Sequence, residues 1–148
     1  MRKGYNKVSA YLVCRDAGHA VDFYKKHFGA EEDYRLAGPD GIIMHCEMMI
    51  GDCRIMISDE FPDSGVLSPI SLGGSPISLN IYVDNVDDLL PKLQQEGCEV
   101  LSPLQLQFHG DKSAKFSDPF GHIWHVATNV EDVSSDEVVA RFNKMMSD

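Results

Sequence analysis

Residues 8–29 read VSAYLVCRDAGHAVDFYKKHFG, and this stretch decides the fold. Val8 to Cys14 alternates and is rich in β-favouring residues, the pattern of a strand with two unlike faces. Asp16 is an N-cap residue. Behind it Ala20, Val21, Tyr24 and Phe28 recur at helical spacing, and Gly29 supplies the stop. The segment therefore predicts a strand that passes directly into an amphipathic helix over Asp16–Phe28.

Working outward, Glu32–Leu36, Ile42–Ile50 and Cys53–Ser58 read as three further strands, separated by the turns Gly38-Pro39-Asp40-Gly41 and Gly51-Asp52. The first unit, about residues 8–58, is thus β-α-β-β-β. Residues 59–76 carry Pro62, Gly65, Pro69, Gly73, Gly74 and Pro76 and read as a connecting loop, long enough to be a linker or a lid. The opening pattern then returns in residues 78–97, SLNIYVDNVDDLLPKLQQEG. Ser78–Val83 is a strand. Val86–Glu96 is a helix with Leu89, Leu90 and Leu93 on one face and Gly97 as its stop. Pro91 suits only a first turn or a kink, so a start at Asp87 is the alternative. Cys98–Leu101, Ser113–Phe116 and Ile123–Thr128 complete a second unit, about 77–130. A last helix, about 134–147, is announced by Ser134-x-x-Glu137, a capping-box pattern. The two units are offset by about 69 residues, too long a period for a solenoid and right for two copies of one supersecondary unit. The expected architecture is α+β: two βαβββ repeats in one domain over 1–148, forming a cup-shaped mixed sheet around a shared cavity, with the helices outside.

Composition narrows the function. Thirteen basic against 23 acidic residues give a net charge of −10, which opposes binding to nucleic acid or to an anionic membrane surface. No apolar run approaches the roughly 18 residues of a membrane span. Cys14, Cys46, Cys53 and Cys98 form no CxxC and no zinc-finger spacing, and each has apolar neighbours, so each reads as a small buried hydrophobe. The first residues, MRKGYNKVSAYLVCRD, lack the pattern of a secretory signal, and the expectation is a cytoplasmic protein with reduced thiols. No nucleophile elbow, P-loop or dinucleotide fingerprint is present.

Several motifs resemble the vicinal oxygen chelate superfamily of glyoxalases, bleomycin-resistance proteins and extradiol dioxygenases. They are Asp16-x5-Asp22-Phe23-Tyr24-x3-Phe28-Gly29-Ala30, Val83-x2-Val86-Asp87 and Asp118-Pro119-Phe120-Gly121-His122. Met44-His45-x-Glu47, Ser58-Asp59-Glu60-Phe61-Pro62, Leu72-Gly73-Gly74-Ser75-Pro76, Phe108-x-Gly110-Asp111-Lys112 and His122-x-Trp124 are similar to its PhnB-like branch. The resemblance implies the two-unit fold, frequent homodimers, and a metal site with ligands in the order His, Glu, His, Glu. Carried over residue by residue, those four positions hold Ser9, Met56, Ser78 and His125. One imidazole cannot hold a catalytic divalent ion, which needs at least about three His or carboxylate ligands. The resemblance with this departure implies a protein that binds a small organic molecule in its cavity without the usual metal. The alternative is a glyoxalase-type lyase or isomerase using zinc, nickel, manganese or iron, with its ligands drawn from His45, Glu47, Asp59 and His125.

Residue by residue, Ser9, Tyr11, Ser78, Asn80 and Tyr82 share the strand parity of the usual ligand positions and would line the cavity with hydroxyls and an amide. His125 shares that face with Ile123 and Ala127 and is the one candidate for proton transfer or ligand hydrogen bonding. Met56 completes the set. Phe108 and Trp124 are candidates for stacking on a planar ligand, and Asp111 for shaping the adjacent loop. His122 belongs to the Asp-Pro-Phe-Gly-His turn and reads as structural. His45 and Glu47 share one face of their strand, where they would form a metal site with Asp59 or simply a buried ion pair.

Overall fold

The computed structural model describes residues 2–148. Strand β1 (Ala10–Cys14) leads into α1 (Ala17–Phe28), then β2 (Glu31–Ala37), β3 (Ile43–Ile50) and β4 (Cys53–Asp59). A 3-10 turn at Pro62–Ser64 and the short α2 (Pro69–Leu72) follow. The pattern then returns as β5 (Ser78–Tyr82), α3 (Val86–Gln95), β6 (Glu99–Leu106), β7 (Asp111–Ser117) and β8 (Ile123–Asn129), with α4 (Ser135–Ser147) last. The chain divides into two compact units. One runs to Pro76 and takes in Phe120–His122; the other comprises Ile77–Pro119 and Ile123–Asp148.

Each unit carries one four-stranded mixed sheet, ordered β1-β4-β3-β2 in the first and β5-β8-β7-β6 in the second. In both, the strand before the helix pairs in parallel with the last strand of its unit. That pairing requires the crossover helix that each unit has. In the first unit, the Asp16 side chain accepts from the His19 amide and Gly29 closes α1 in the left-handed conformation. Both were legible in the sequence. Asp59, at the end of β4, ties the unit together by accepting from the amides of Ala17 and Ile43.

Alternation gives each sheet an apolar face and a second, more polar one. In the first unit Leu12, Cys14, Cys46, Met48, Ile55 and Ile57 are buried, as are Ala17, Ala20, Val21 and Tyr24 of α1. In the second, Ile81, Ala114, Phe116, Trp124 and Val126 are buried, together with Val86, Leu90 and Leu93 of α3.

Four departures from the sequence reading have local causes. The segment read as a loop over 59–76 begins inside β4 and contains two short helical turns; Ser68 caps α2 by accepting from the Ser71 amide. Strand β6 runs past Pro103 to Leu106. It is an edge strand with shifted register around Ser102, where a residue without an N–H is tolerated. Helix α3 starts at Val86, capped by Asn85, and keeps Pro91 inside, leaving the Asp87 carbonyl without its helical donor. Cys14, Cys46 and Cys98 are buried, but Cys53 is exposed at the β3–β4 turn.

Candidate functional site

In the first unit the polar sheet face is organised around Glu47 of β3, which is 2% exposed. Its carboxylate accepts four hydrogen bonds. Oε1 receives the Tyr34 hydroxyl at 2.8 Å and His45 Nε2 at 3.1 Å. Oε2 receives the Tyr5 hydroxyl at 2.6 Å and Arg54 Nη1 at 2.6 Å. Burial alone would push the Glu47 carboxyl up; the four donors outweigh it and hold the group down at about 2. The same bond pushes the Tyr34 phenol up to about 12. Strand register explains the assembly, because Tyr34 and Glu47 are cross-strand partners on β2 and β3, and Glu47 faces Met56 on β4. Arg54 lies on β4 with the same parity; it also bonds Asp33 and the Gly4 carbonyl and stacks 4.3 Å from the Tyr5 ring centroid. Tyr11 of β1, opposite Met56, reaches His45 Nδ1 at 2.9 Å.

In the second unit the corresponding face carries Ser78, Asn80 and Tyr82 on β5, beside Ile123, His125 and Ala127 on β8. Lys115 of β7 is the other cross-strand partner of His125. Ser78, Asn80 and Tyr82 are exposed and His125 is half-buried. Asp111 is 6% exposed and accepts from the Tyr82 hydroxyl at 2.8 Å and Asn129 Nδ2 at 2.9 Å. The bond to Asp111 raises the Tyr82 phenol above its ordinary range. Gly110 is left-handed, and a Cβ there would collide with the Glu131 carbonyl; its own carbonyl accepts from the amides of Val130 and Glu131. Asp111 is thereby set at the end of β7 beside a shallow recess of about 310 Å³ lined by Tyr82, Val83, Asp84, Thr128 and Asn129.

Some expected site residues stand elsewhere. Trp124 is not available for stacking on a ligand: it is 3% exposed, shares strand parity with the buried Val126, and donates from Nε1 to Asp118 Oδ2 at 2.9 Å. Phe108 lies in the β6–β7 loop with its ring 6.1 Å from that of Phe142 on α4, and its carbonyl accepts from Arg141. His122 is buried and its Nε2 bonds the Val13 carbonyl. Ser9 precedes β1 and is half-buried, as is Met56. The alternative metal set is not assembled, because Asp59 is committed to two backbone amides and Glu47 to four donors. Among the described residues no three His, Cys, Asp or Glu side chains cluster as metal ligands. Tyr5, Tyr34 and Arg54 were missed; Tyr34 could have been found from its parity with His45, whereas Tyr5 lies outside any periodic segment.

Two repeats of strand, helix and three strands, with a polar sheet face in each, define a protein of the paired βαβββ class. The Glyoxalase/Bleomycin resistance protein/Dioxygenase superfamily model matches residues 6–134, and the chain belongs to that superfamily. An uncharacterized protein of Mycobacterium bovis is 36% identical over 136 residues, covering 90% of each chain. Among solved structures, a PhnB protein from Bacillus cereus superposes with a TM-score of 0.67 at 19% identity, over 83% of this chain and 99% of that one. A fosfomycin resistance protein from Listeria monocytogenes, complexed with Mn(II) and sulfate, superposes with a TM-score of 0.65 at 17% identity, over 96% of this chain and 99% of that one.

The family's metal does not fit this chain. The positions that the resemblance assigns to its ligands hold a hydroxyl, a thioether, a second hydroxyl and one imidazole, in Ser9, Met56, Ser78 and His125. Hydroxyls and thioethers are poor ligands for the zinc, nickel or manganese that such chemistry uses.

Proposed function

We propose that this protein binds a small organic molecule on the polar faces of its sheets without the family's metal. The supporting observation is the replacement of three of the four metal positions by Ser9, Met56 and Ser78, on faces that keep hydroxyl, amide, imidazole and phenol groups. A sparse set of fixed polar groups is what orients a small ligand. In the first unit Tyr11 and Met56, and in the second, separately, Ser78, Asn80, Tyr82 and His125, are the residues each face offers to such a molecule, with Asp111 fixing Tyr82. His125 is the group for hydrogen bonding or proton exchange with the ligand. The alternative, a metal-dependent lyase or isomerase, would need ligands beyond the four usual positions, and His45, Glu47 and Asp59 are already engaged.

The test is a small-molecule thermal-shift screen on chelator-treated protein, followed by amide and side-chain NMR on each hit. A hit that perturbs Asn80, Tyr82 and His125, and that His125→Ala weakens about tenfold, is the expected result. Hits that appear only after a divalent metal is restored would contradict the reading. The expected partner besides the ligand is a second copy of the chain. Light scattering on a size-exclusion column reads that directly, with a dimer mass expected and a monomer mass contradicting it.

A further inference from the structure

The first unit's polar face fixes the direction of one hydrogen bond that a ligand would meet. Glu47 can only accept, and each of its oxygens already receives two donors. His45 must therefore carry a proton on Nε2, the nitrogen that faces Glu47 Oε1 at 3.1 Å. In the neutral imidazole Nδ1 is then bare, and the Tyr11 hydroxyl 2.9 Å away must donate to it. The hydrogen of Tyr11 is thus used up inside the protein. The residue is 48% exposed, so the lone pairs of its oxygen are what a ligand meets.

The charged groups in contact with the Tyr11–His45–Glu47 chain leave nothing for an anion; Arg2 lies one residue removed, 4.4 Å over the Tyr5 ring. On β3 the charge is Glu47. On β4 it is Arg54, whose side chain is 10% exposed and which is spent on Glu47, Asp33 of β2 and the Gly4 carbonyl under the Tyr5 ring. Tyr34 on β2 and Tyr5 in the N-terminal segment both donate to Glu47. Beside His45, its cross-strand partner Leu36 is 57% exposed and offers apolar surface. The second unit repeats the polarity at one point: the exposed Tyr82 donates its hydrogen to Asp111, beside a recess that Asp84 also lines.

We infer that the Tyr11–His45–Glu47 chain makes the first unit's sheet face selective for molecules with an apolar or aromatic body and an N–H donor or cationic head, against anions of the same shape. This rests on the small-molecule reading proposed above and names its ligand class. Benzamidine and benzoate are the probes, since they share a planar ring and differ in head group. Each is titrated into uniformly 15N-labelled protein at about pH 8.5, above the ordinary imidazole range. Three results are expected. His45 shows a protonated Nε2 and a bare Nδ1. Benzamidine gives saturable shifts at His45 and around Tyr11 and Leu36, with benzoate about tenfold weaker. Tyr11→Phe, which removes one exposed hydroxyl, weakens benzamidine about tenfold and leaves the rest of the spectrum in place.

The opposite tautomer, benzoate binding as tightly as benzamidine, or an unchanged benzamidine affinity in Tyr11→Phe overturns the inference. So does the absence of saturable shifts on this face with either probe at about 10 mM, well above the weak end of specific affinities. In each case the broader binding reading stands or falls separately, on the library screen with the His125 variant.

Discussion

The two units share a topology and use their buried carboxylates differently. Glu47 sits in mid-strand, accepts four hydrogen bonds and pairs with a nearly buried guanidinium. Asp111 sits at a strand end, accepts from the Tyr82 phenol and the Asn129 amide, and has His109 Nδ1 3.4 Å away. The first unit has turned the middle of its polar face into a satisfied ionic core, with only Tyr11 reaching outward. The second keeps that face half-open and polar. A repeated supersecondary unit can thus bury its carboxylate in mid-strand in one copy and set it at a strand end in the other while the strand order stays the same.

The sharpest way to break this comparison is Glu47→Gln. It removes the buried partner of Arg54 and leaves it only the half-exposed Asp33, so the expected cost is about 3 kcal/mol, the low end for a broken buried pair, read as a shift in the urea midpoint at constant slope. Asp111→Asn should cost about 1–2 kcal/mol, since it loosens two hydrogen bonds and strands no buried cation. Equal losses would dissolve the contrast.

Acid should separate the units next. The folded Glu47 carboxyl is depressed from 4.5 to about 2, so its stabilisation is fully present above pH 4.5 and is lost as pH falls toward 2. Glu60 is also held down at about 2, chiefly by the Ser68 amide, and titrates in the same window. The difference between wild type and Glu47→Gln is therefore the quantity to follow. It should shrink steadily from pH 4.5 to pH 2, and a constant difference would contradict the assignment. A smaller effect is expected from Trp124→Phe, which removes one buried hydrogen bond to Asp118 at about 1 kcal/mol in thermal unfolding and leaves ligand affinity unchanged. Weakened binding there would return Trp124 to the recognition surface.

Much of this was legible from local signals. Asp16, Gly29 and Ser134 sit where capping chemistry demands, and the repeated strand–helix opening located both units. The parity of Tyr11, His45 and Glu47 was also readable, because side-chain direction in a strand follows from counting. What could not be read was non-local. Arg54 and Tyr5 reach Glu47 only once β3 and β4 are paired and the N-terminal segment has folded over them. Asp59 looked like a metal ligand because nothing in its neighbours reveals the amides of Ala17 and Ile43 that occupy it. Trp124 looked like a stacking platform for the same reason: its partner Asp118 is near in sequence, but its burial is a property of the assembled sheet.

The central claim is that recognition here proceeds without the family's metal, and elemental mass spectrometry of untagged, dialysed protein tests it most directly. The account predicts less than about a tenth of an equivalent of any divalent ion, and no thermal shift when zinc, nickel, manganese or iron is added back singly. A stoichiometric metal that raises the melting temperature would contradict it and return the glyoxalase-type reaction to the front.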